Sequence, residues 1–334
     1  MPTPKVVQLA TAGVAVTLPI VDPLVVTPEQ VAELRRQRYN GTVVSLRKIH
    51  DDLMVVRVKP DFPRPPHLPG QYCTLGLGYW EPRAPGCQAE ELKPEDETKL
   101  VRRSYSIGCS VEAEPGRLRD LAEDDWLEFY IVLVRANPSG RVPALTPRIF
   151  ALTEGDRLNV GERITGNFTL ESVGPADTVV FLATGTGEAP HNYMLWDLLR
   201  RGHQGRIVSA CCVRLKNDLG YWDIHKRLMS RYPKYTYLPL ATREPKVTRK
   251  VYIQDLIETG ELERHLGTDL DPASTHVFLC GNPLMIGVPE WDRATGVKTY
   301  PQPPGVIELL TRRGFVADHA ATKTKGNVHF EEYW

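Results

Sequence analysis

Val179-Val180-Phe181-Leu182-Ala183-Thr184-Gly185-Thr186-Gly187-Glu188-Ala189-Pro190 is the stretch that decides the fold. Five consecutive apolar residues read as a strand buried on both faces. A Gly-Thr-Gly turn follows, and the apolar period of residues 193–199 reads as a helix. A strand that feeds a helix through such a turn presents backbone N–H groups and a helix N-terminus to a phosphate. The third glycine of G-x-G-x-x-G is replaced, so this is not the usual dinucleotide fingerprint. A tight strand-to-helix turn would account for the glycines alone. The five fixed residues of G-T-G-x-A-P, however, arise by chance in a chain of this length at roughly 10⁻⁴. Phosphate binding is therefore the preferred reading.

Downstream the rhythm continues. Residues 207–213, 235–240 and 276–280 read as further strands, and 222–229 and 253–257 as helices. This alternation predicts a parallel Rossmann-like sheet with helices on both faces. Upstream the pattern is different. Residues 42–49, 53–58, 71–77, 104–109, 127–134 and 157–160 are short strand candidates separated by Pro and Gly. They predict a small antiparallel β-barrel, its first hairpin turning at His50-Asp51-Asp52. Residues 79–99 read as a surface insertion with a solvated acidic run. Gly174-Pro175 ends the barrel pattern. The expected domains are an arm with a short helix (1–37), a barrel (38–172) and an α/β domain (173–334).

In the arm, Thr27-Pro28-Glu29-Gln30 is a capping-box helix start, predicted to run to about Arg36 as an addition to the main fold. Residues 6–26 are apolar enough to suggest an export signal. Pro19, Asp22 and Pro23 interrupt them, so an extended arm is expected.

Composition excludes several classes. With 334 residues, 42% hydrophobic, and Lys+Arg equal to Asp+Glu at 41 each, the chain is neither disordered nor basic enough for a nucleic-acid binder. No uninterrupted apolar run reaches the ~20 residues of a membrane span. Six cysteines, at 73, 87, 109, 211, 212 and 280, include no C-x-x-C and no iron–sulfur spacing. They are too dilute for a disulfide scaffold, so reduced thiols in a cytoplasm are expected. The nine histidines form no ligand-spaced cluster, and no metal is expected.

A second motif, Arg103-Ser104-Tyr105-Ser106, lies in the barrel half. An Arg neutralises a diphosphate bidentately, and a Tyr two residues on shares its strand face and can pack on a ring system. The order of the two motifs resembles the ferredoxin–NADP⁺ reductase family, over about residues 38–334. Pro69-Gly70-Gln71-Tyr72, Phe129-Tyr130-Ile131-Val132-Leu133-Val134, Leu145-Thr146-Pro147-Arg148, Cys280-Gly281-Asn282-Pro283 and Glu331-Glu332-Tyr333-Trp334 match further family segments in order. Thr242-Arg243-Glu244 and Lys250-Val251-Tyr252-Ile253-Gln254 resemble the plastid-type 2′-phosphate site, whereas Arg214 matches bacterial members.

The resemblance implies an FAD-dependent reductase that exchanges electrons between NADP(H) and ferredoxin or flavodoxin. FAD would be held by Arg103, Ser104, Tyr105, Ser106, Tyr130, Val132, Val134, Leu145, Thr146, Thr186 and Trp334. NADP(H) would be held by Gly185, Thr186, Gly187, Arg214, Thr242, Arg243, Lys250, Tyr252, Gln254, Cys280, Gly281 and Asn282. Ser106, Cys280, Glu332 and Trp334 would act at the reaction centre, with Trp334 stacked on the flavin. An acidic carrier would dock on basic residues such as Arg35, Arg36, Arg38, Arg312, Arg313, Lys323 and Lys325. The same fold also serves NAD(P)H:flavin reductases and oxygenase reductase components, which stay as the alternative. Glu188 departs from the family pattern, in which that position is usually apolar.

Overall fold

The computed structural model describes residues 26–122, 124–137, 140–245, 248–292, 294–319 and 322–333. The expected arm before residue 26 and the terminal Trp334 lie outside the described residues.

The capping box forms as read. Thr27 Oγ1 accepts the Gln30 N–H and Gln30 Oε1 accepts the Thr27 N–H, and α1 spans Pro28–Arg38. Next come β1 (Gly41–His50), β2 (Leu53–Pro60), β3 (Tyr72–Gly78), β4 (Leu100–Ser106), the small hairpin β5 (Glu112–Glu114) and β6 (Arg117–Leu118), β7 (Leu127–Val132), α2 (Thr146–Ile149) and β8 (Arg157–Val160). Six of these strands pair antiparallel in the order β4-β3-β8-β1-β2-β7. Alternate residues such as Val56, Val58, Leu75, Leu77, Phe129 and Ile131 fill its core, as the two-residue period of a strand requires. The antiparallel sheet expected of this half is present. Beyond β4, the Gly108 N–H donates to Glu128 O of β7 at 2.8 Å in an isolated bridge between the two edges.

The segment 79–99 is anchored rather than merely solvated. Glu81 is buried and accepts from the Tyr39 hydroxyl at 2.8 Å and from the Trp80 indole N–H at 2.9 Å. Arg35 of α1 also pairs with Glu81, fastening the added helix to the sheet. Glu90 meets the buried Arg148 guanidinium at 2.6 Å. Buried carboxylates persist where fixed donors face them, and composition alone does not show those donors.

The second half contains β9 (Thr178–Thr184), α3 (Glu188–Arg200), β10 (Ile207–Val213), α4 (Trp222–Arg231), β11 (Tyr235–Ala241), α5 (Ile253–Glu258), α6 (Glu261–Leu266), β12 (Thr275–Gly281), α7 (Pro283–Ile286), the hairpin β13 (Glu290–Trp291) and β14 (Lys298–Thr299), α8 (Val306–Thr311) and β15 (Val328–Glu332). The parallel order is β11-β10-β9-β12-β15. Val179, Phe181 and Ala183 pack in the cluster that contains Met194 and Leu198 of α3 and Leu228 of α4. Val180 and Leu182 pack with Leu256, Leu262, Ile286 and Ile307 of α5 to α8. Burial on both faces explains the unbroken apolar run.

The halves share a seam. Tyr221 is buried against Tyr130, ring centroids 4.8 Å apart at 72°. The Tyr130 hydroxyl donates to Asp218 O at 3.0 Å and accepts the Gly220 N–H at 3.1 Å. His50 meets Asp218 at 3.0 Å, and Arg227 meets Glu112 at 2.8 Å. No helix among the described residues is long and apolar enough to cross a membrane.

Candidate active site between the two sheets

The glycine turn forms a short 3₁₀ segment, Gly185–Gly187, ahead of α3. Gly185 has φ +53°, and the space a Cβ would occupy there is open. Gly187 is closed in: a Cβ would lie 2.3 Å from Cys280 O. One glycine thus leaves a cradle and the other brings the turn against β12. The Thr184 hydroxyl accepts the Asn282 N–H at 2.7 Å, joining the G-T-G turn to the turn that starts at Cys280. Asn282 Oδ1 caps α7 through the Leu284 N–H at 2.8 Å. Thr186 is half-buried in the same loop. An open glycine cradle ahead of a 13-residue helix fits a coenzyme diphosphate.

Beside it, four side chains from both halves converge. Ser106 ends β4, where its hydroxyl donates to Glu331 Oε2 at 3.1 Å and accepts from the Tyr333 hydroxyl at 2.7 Å. Cys280 is opposite Glu331 in the parallel register of β12 and β15, and Tyr333 lies beside its thiol. The Tyr333 N–H donates to Gly281 O at 2.8 Å. Burial pushes the Cys280 thiol well up, and the nearby Glu331 charge adds to this, so the sulfur stays protonated. Burial also raises the Glu331 carboxyl, against the opposing Ser106 hydrogen bond.

The carboxylate that reaches Ser106 is Glu331, whereas the one expected at the reaction centre is its neighbour Glu332. Strand alternation puts Glu331 and Tyr333 on one face and Glu332 on the other. Reading residues 328–332 as a strand would have shown this. Short length and two adjacent glutamates hid it.

On the antiparallel sheet, Arg103 is exposed, and its guanidinium donates to Arg102 O at 2.7 Å. It shares a strand face with Tyr105, whose ring meets Phe129 edge-on with centroids 6.4 Å apart. Ser104 is exposed beside them. Val132 and Val134 are each 41% exposed, unusual for valines flanking a core strand. An open cationic fork and open apolar surface suit a flat ring system carrying a diphosphate, which is what FAD presents. Leu145 packs into the core, and Thr146 Oγ1 accepts the Val134 N–H at 3.1 Å, bracing α2 against this edge.

Tyr130 departs from its expected place at the flavin. Its ring and hydroxyl are committed to the seam, because the α/β half covers that part of β7 and leaves only Val132 open.

At the far end of the parallel sheet, Arg214 and Arg243 follow neighbouring strands, β10 and β11. The Arg243 N–H donates to Arg214 O at 2.7 Å, which sets the two residues side by side. Both are exposed, and neither pairs with a carboxylate among the described residues. Lys250 and Tyr252 are exposed nearby in sequence, and the Gln254 amide donates to Leu284 O at 3.4 Å. Thr242 departs from expectation. It is buried, and its hydroxyl donates to Val213 O at 3.1 Å, so the proton it would offer a phosphate is already engaged.

Glu188 faces inward. Its Oε1 accepts from the Tyr237 hydroxyl at 2.6 Å and lies 3.0 Å from His225 Nε2, whose Nδ1 lies 2.8 Å from the Tyr235 hydroxyl. The His225 and Tyr237 rings stack at 3.9 Å. The basic docking surface is also weaker than its sequence suggests. Arg35, Arg36, Arg312 and Arg313 pair with Glu81, Glu33, Glu308 and Glu263.

Comparison with known proteins agrees with this geometry. Residues 181–289 match the oxidoreductase NAD-binding domain family. The flavodoxin/ferredoxin–NADP reductase of Escherichia coli (strain K12) is 35% identical over 248 residues, 74% of this chain and 86% of that protein. The protein of the same name from Buchnera aphidicola subsp. Baizongia pistaciae is 27% identical over 246 residues, 73% of this chain and 85% of its own length. In fold alone, the chain is similar to a ferredoxin NADP⁺ reductase from Neisseria gonorrhoeae with bound FAD and NADP. The TM-score is 0.62 at 20% identity, covering 88% of this chain and 97% of that one. Identity above 30% across most of the Escherichia coli protein, on a fold with this two-sheet site, shows that the chain belongs to the flavodoxin/ferredoxin–NADP reductase family of FAD-binding oxidoreductases.

Proposed function

We propose that this protein is a ferredoxin- or flavodoxin–NADP(H) reductase, with a closed FAD barrel at 38–172 and an NADP(H) domain at 173–334. The observation that carries this reading is the meeting of Ser106, from one half, with Glu331, Tyr333 and Cys280, from the other. Bound FAD supplies the conversion between two-electron and one-electron transfer. The chain's own residues bind, orient and shield. Arg103 neutralises the flavin diphosphate. Ser106 offers a hydroxyl to the reacting ring edge and is linked to Glu331, which can hold or release a proton. Tyr333 covers this point from the C-terminal strand, and Trp334 would extend that aromatic cover. The neutral Cys280 thiol gives the nicotinamide a small, uncharged wall. Six free cysteines, five of them buried, support a reducing cytoplasmic compartment.

Coenzyme choice rests on Arg214 and Arg243. A 2′-phosphate dianion is what two neighbouring arginines, without carboxylate partners among the described residues, are suited to hold. The plastid-type elements contribute Tyr252 and Lys250, the bacterial-type element Arg214. Arg243→Ala should raise KM for NADPH by roughly ten- to a hundredfold and leave NADH nearly unchanged, since a charge-assisted contact contributes ~1.5–3 kcal/mol. Equal losses with both coenzymes would refute the 2′-phosphate role.

Arg103→Ala should weaken FAD binding by a similar factor. Titration of the apoprotein with FAD checks this, and unchanged affinity rules it out. The overall reading is tested by steady-state assay of the flavin-loaded protein with NADPH against ferredoxin, flavodoxin and free flavin. Turnover of free flavin alone would instead favour a flavin reductase.

A further inference from the structure

Glu188 is a residue of the glycine turn and helix start for which the proposed reaction has no use. It is the first residue of α3, directly after the glycine turn. It is 3% exposed, and its Oε2 is buried with no hydrogen-bond partner among the described residues. Tyr237 and His225 both meet its other oxygen. His225 Nε2–H donates to Glu188, and its Nδ1 meets the Tyr235 hydroxyl. Among the described residues its ion-pair partner is His225, and no lysine or arginine pairs with it. Ser209, Cys211, Tyr130 and Tyr221 surround it from the strands and the seam, where the cation is Arg47, its guanidinium 5.6 Å from the Tyr221 ring centroid.

A helix N-terminus attracts a phosphate through a partial positive charge of about half a unit. A full negative charge fixed at the first helical residue opposes that attraction, and burial keeps water and salt from screening it. Resting on the NADP(H) reading of the loop, we propose that Glu188 is an affinity-setting residue: its buried charge weakens the hold of α3 on the coenzyme diphosphate and speeds coenzyme release. The effect acts on the diphosphate, so it applies to NADPH and NADH alike. That separates it from Arg214 and Arg243.

The test is E188Q, whose amide oxygen keeps both hydrogen bonds while the charge is lost. NADP⁺ is titrated into the flavin-loaded protein by flavin difference spectra, with dissociation followed by stopped flow. The expected result is NADP⁺ binding tighter by roughly three- to tenfold, with most of the gain in slower dissociation. KM falls for both coenzymes, and the gain survives at high salt. E188D, which keeps the charge, should stay within about twofold of wild type. Y237F, which removes one brace and keeps the charge, should not tighten binding. If wild type binds no NADP⁺, the reading of the loop fails, and this inference with it. If wild type binds but E188Q binds equally or more weakly, only the inference fails. E188M and E188T serve as further charge-free variants. Failure of all three to fold and load flavin would show that the fold demands the carboxylate, and would overturn the proposal.

Discussion

Ser106→Ala is expected to slow flavin reduction by NADPH about 10²–10³-fold, with flavin occupancy and NADP⁺ affinity near wild type. The magnitude is that of removing one hydrogen-bond donor placed where charge develops. Ser106 is suited to that role because its hydroxyl sits between a donor, Tyr333, and an acceptor, Glu331. Single-turnover reduction under anaerobic conditions measures the step directly. A rate within threefold of wild type would remove Ser106 from the chemistry.

Glu331→Gln gives the companion result. The folded protein holds the Glu331 proton more tightly than the unfolded chain, because burial raises the carboxyl. A carboxyl raised in this way contributes fully below its ordinary range, and that stability is lost as pH rises through the folded value. E331Q should therefore gain stability relative to wild type as pH increases from 4 upward, measured by urea unfolding at several pH values. The same substitution should erase the corresponding inflection from the pH profile of flavin reduction. An unchanged profile would mean that Glu331 only positions Ser106.

The second large effect is expected at Gly187. A methyl group there would lie 2.3 Å from Cys280 O and 2.6 Å from its carbonyl carbon, both backbone atoms. Neither can rotate away, so the glycine turn or the end of β12 must move. Gly187→Ala should cost about 1–3 kcal/mol of stability, the usual range for overpacking. It should also lower coenzyme affinity by more than a hundredfold, because a displacement of ~1 Å separates nicotinamide from its partners. Retained NADP⁺ affinity, by calorimetry on the flavin-loaded variant, would show that the turn does not hold the diphosphate.

Where local pattern carries enough turns, the chain's reading and its structure coincide. The strands Arg157–Val160 and Ile207–Val213 have the expected ends. The Thr27 capping box marks its helix start because cap and partner are three residues apart. The helices Glu261–Leu266, Pro283–Ile286 and Val306–Thr311 are absent from the reading, and each spans less than two turns of apolar period. Residues 79–99 look like solvent-facing chain because Arg35 and Arg148, which hold Glu81 and Glu90, are 46 and 58 residues away.

What the sequence by itself determined is the division into an antiparallel and a parallel half, and the glycine cradle. These depend on short-range period and on backbone freedom at glycine. What only the tertiary structure decided is which atoms face each other. Glu331 reaches Ser106 because β15 pairs with β12. Tyr130 turns into the seam because Tyr221 packs on it. Thr242 donates to Val213 because β11 lies beside β10. Glu188 is buried because Tyr237 and His225 stand opposite it. Each of these contacts joins residues 29 to 225 positions apart, and no periodicity within one segment encodes a partner that far along the chain.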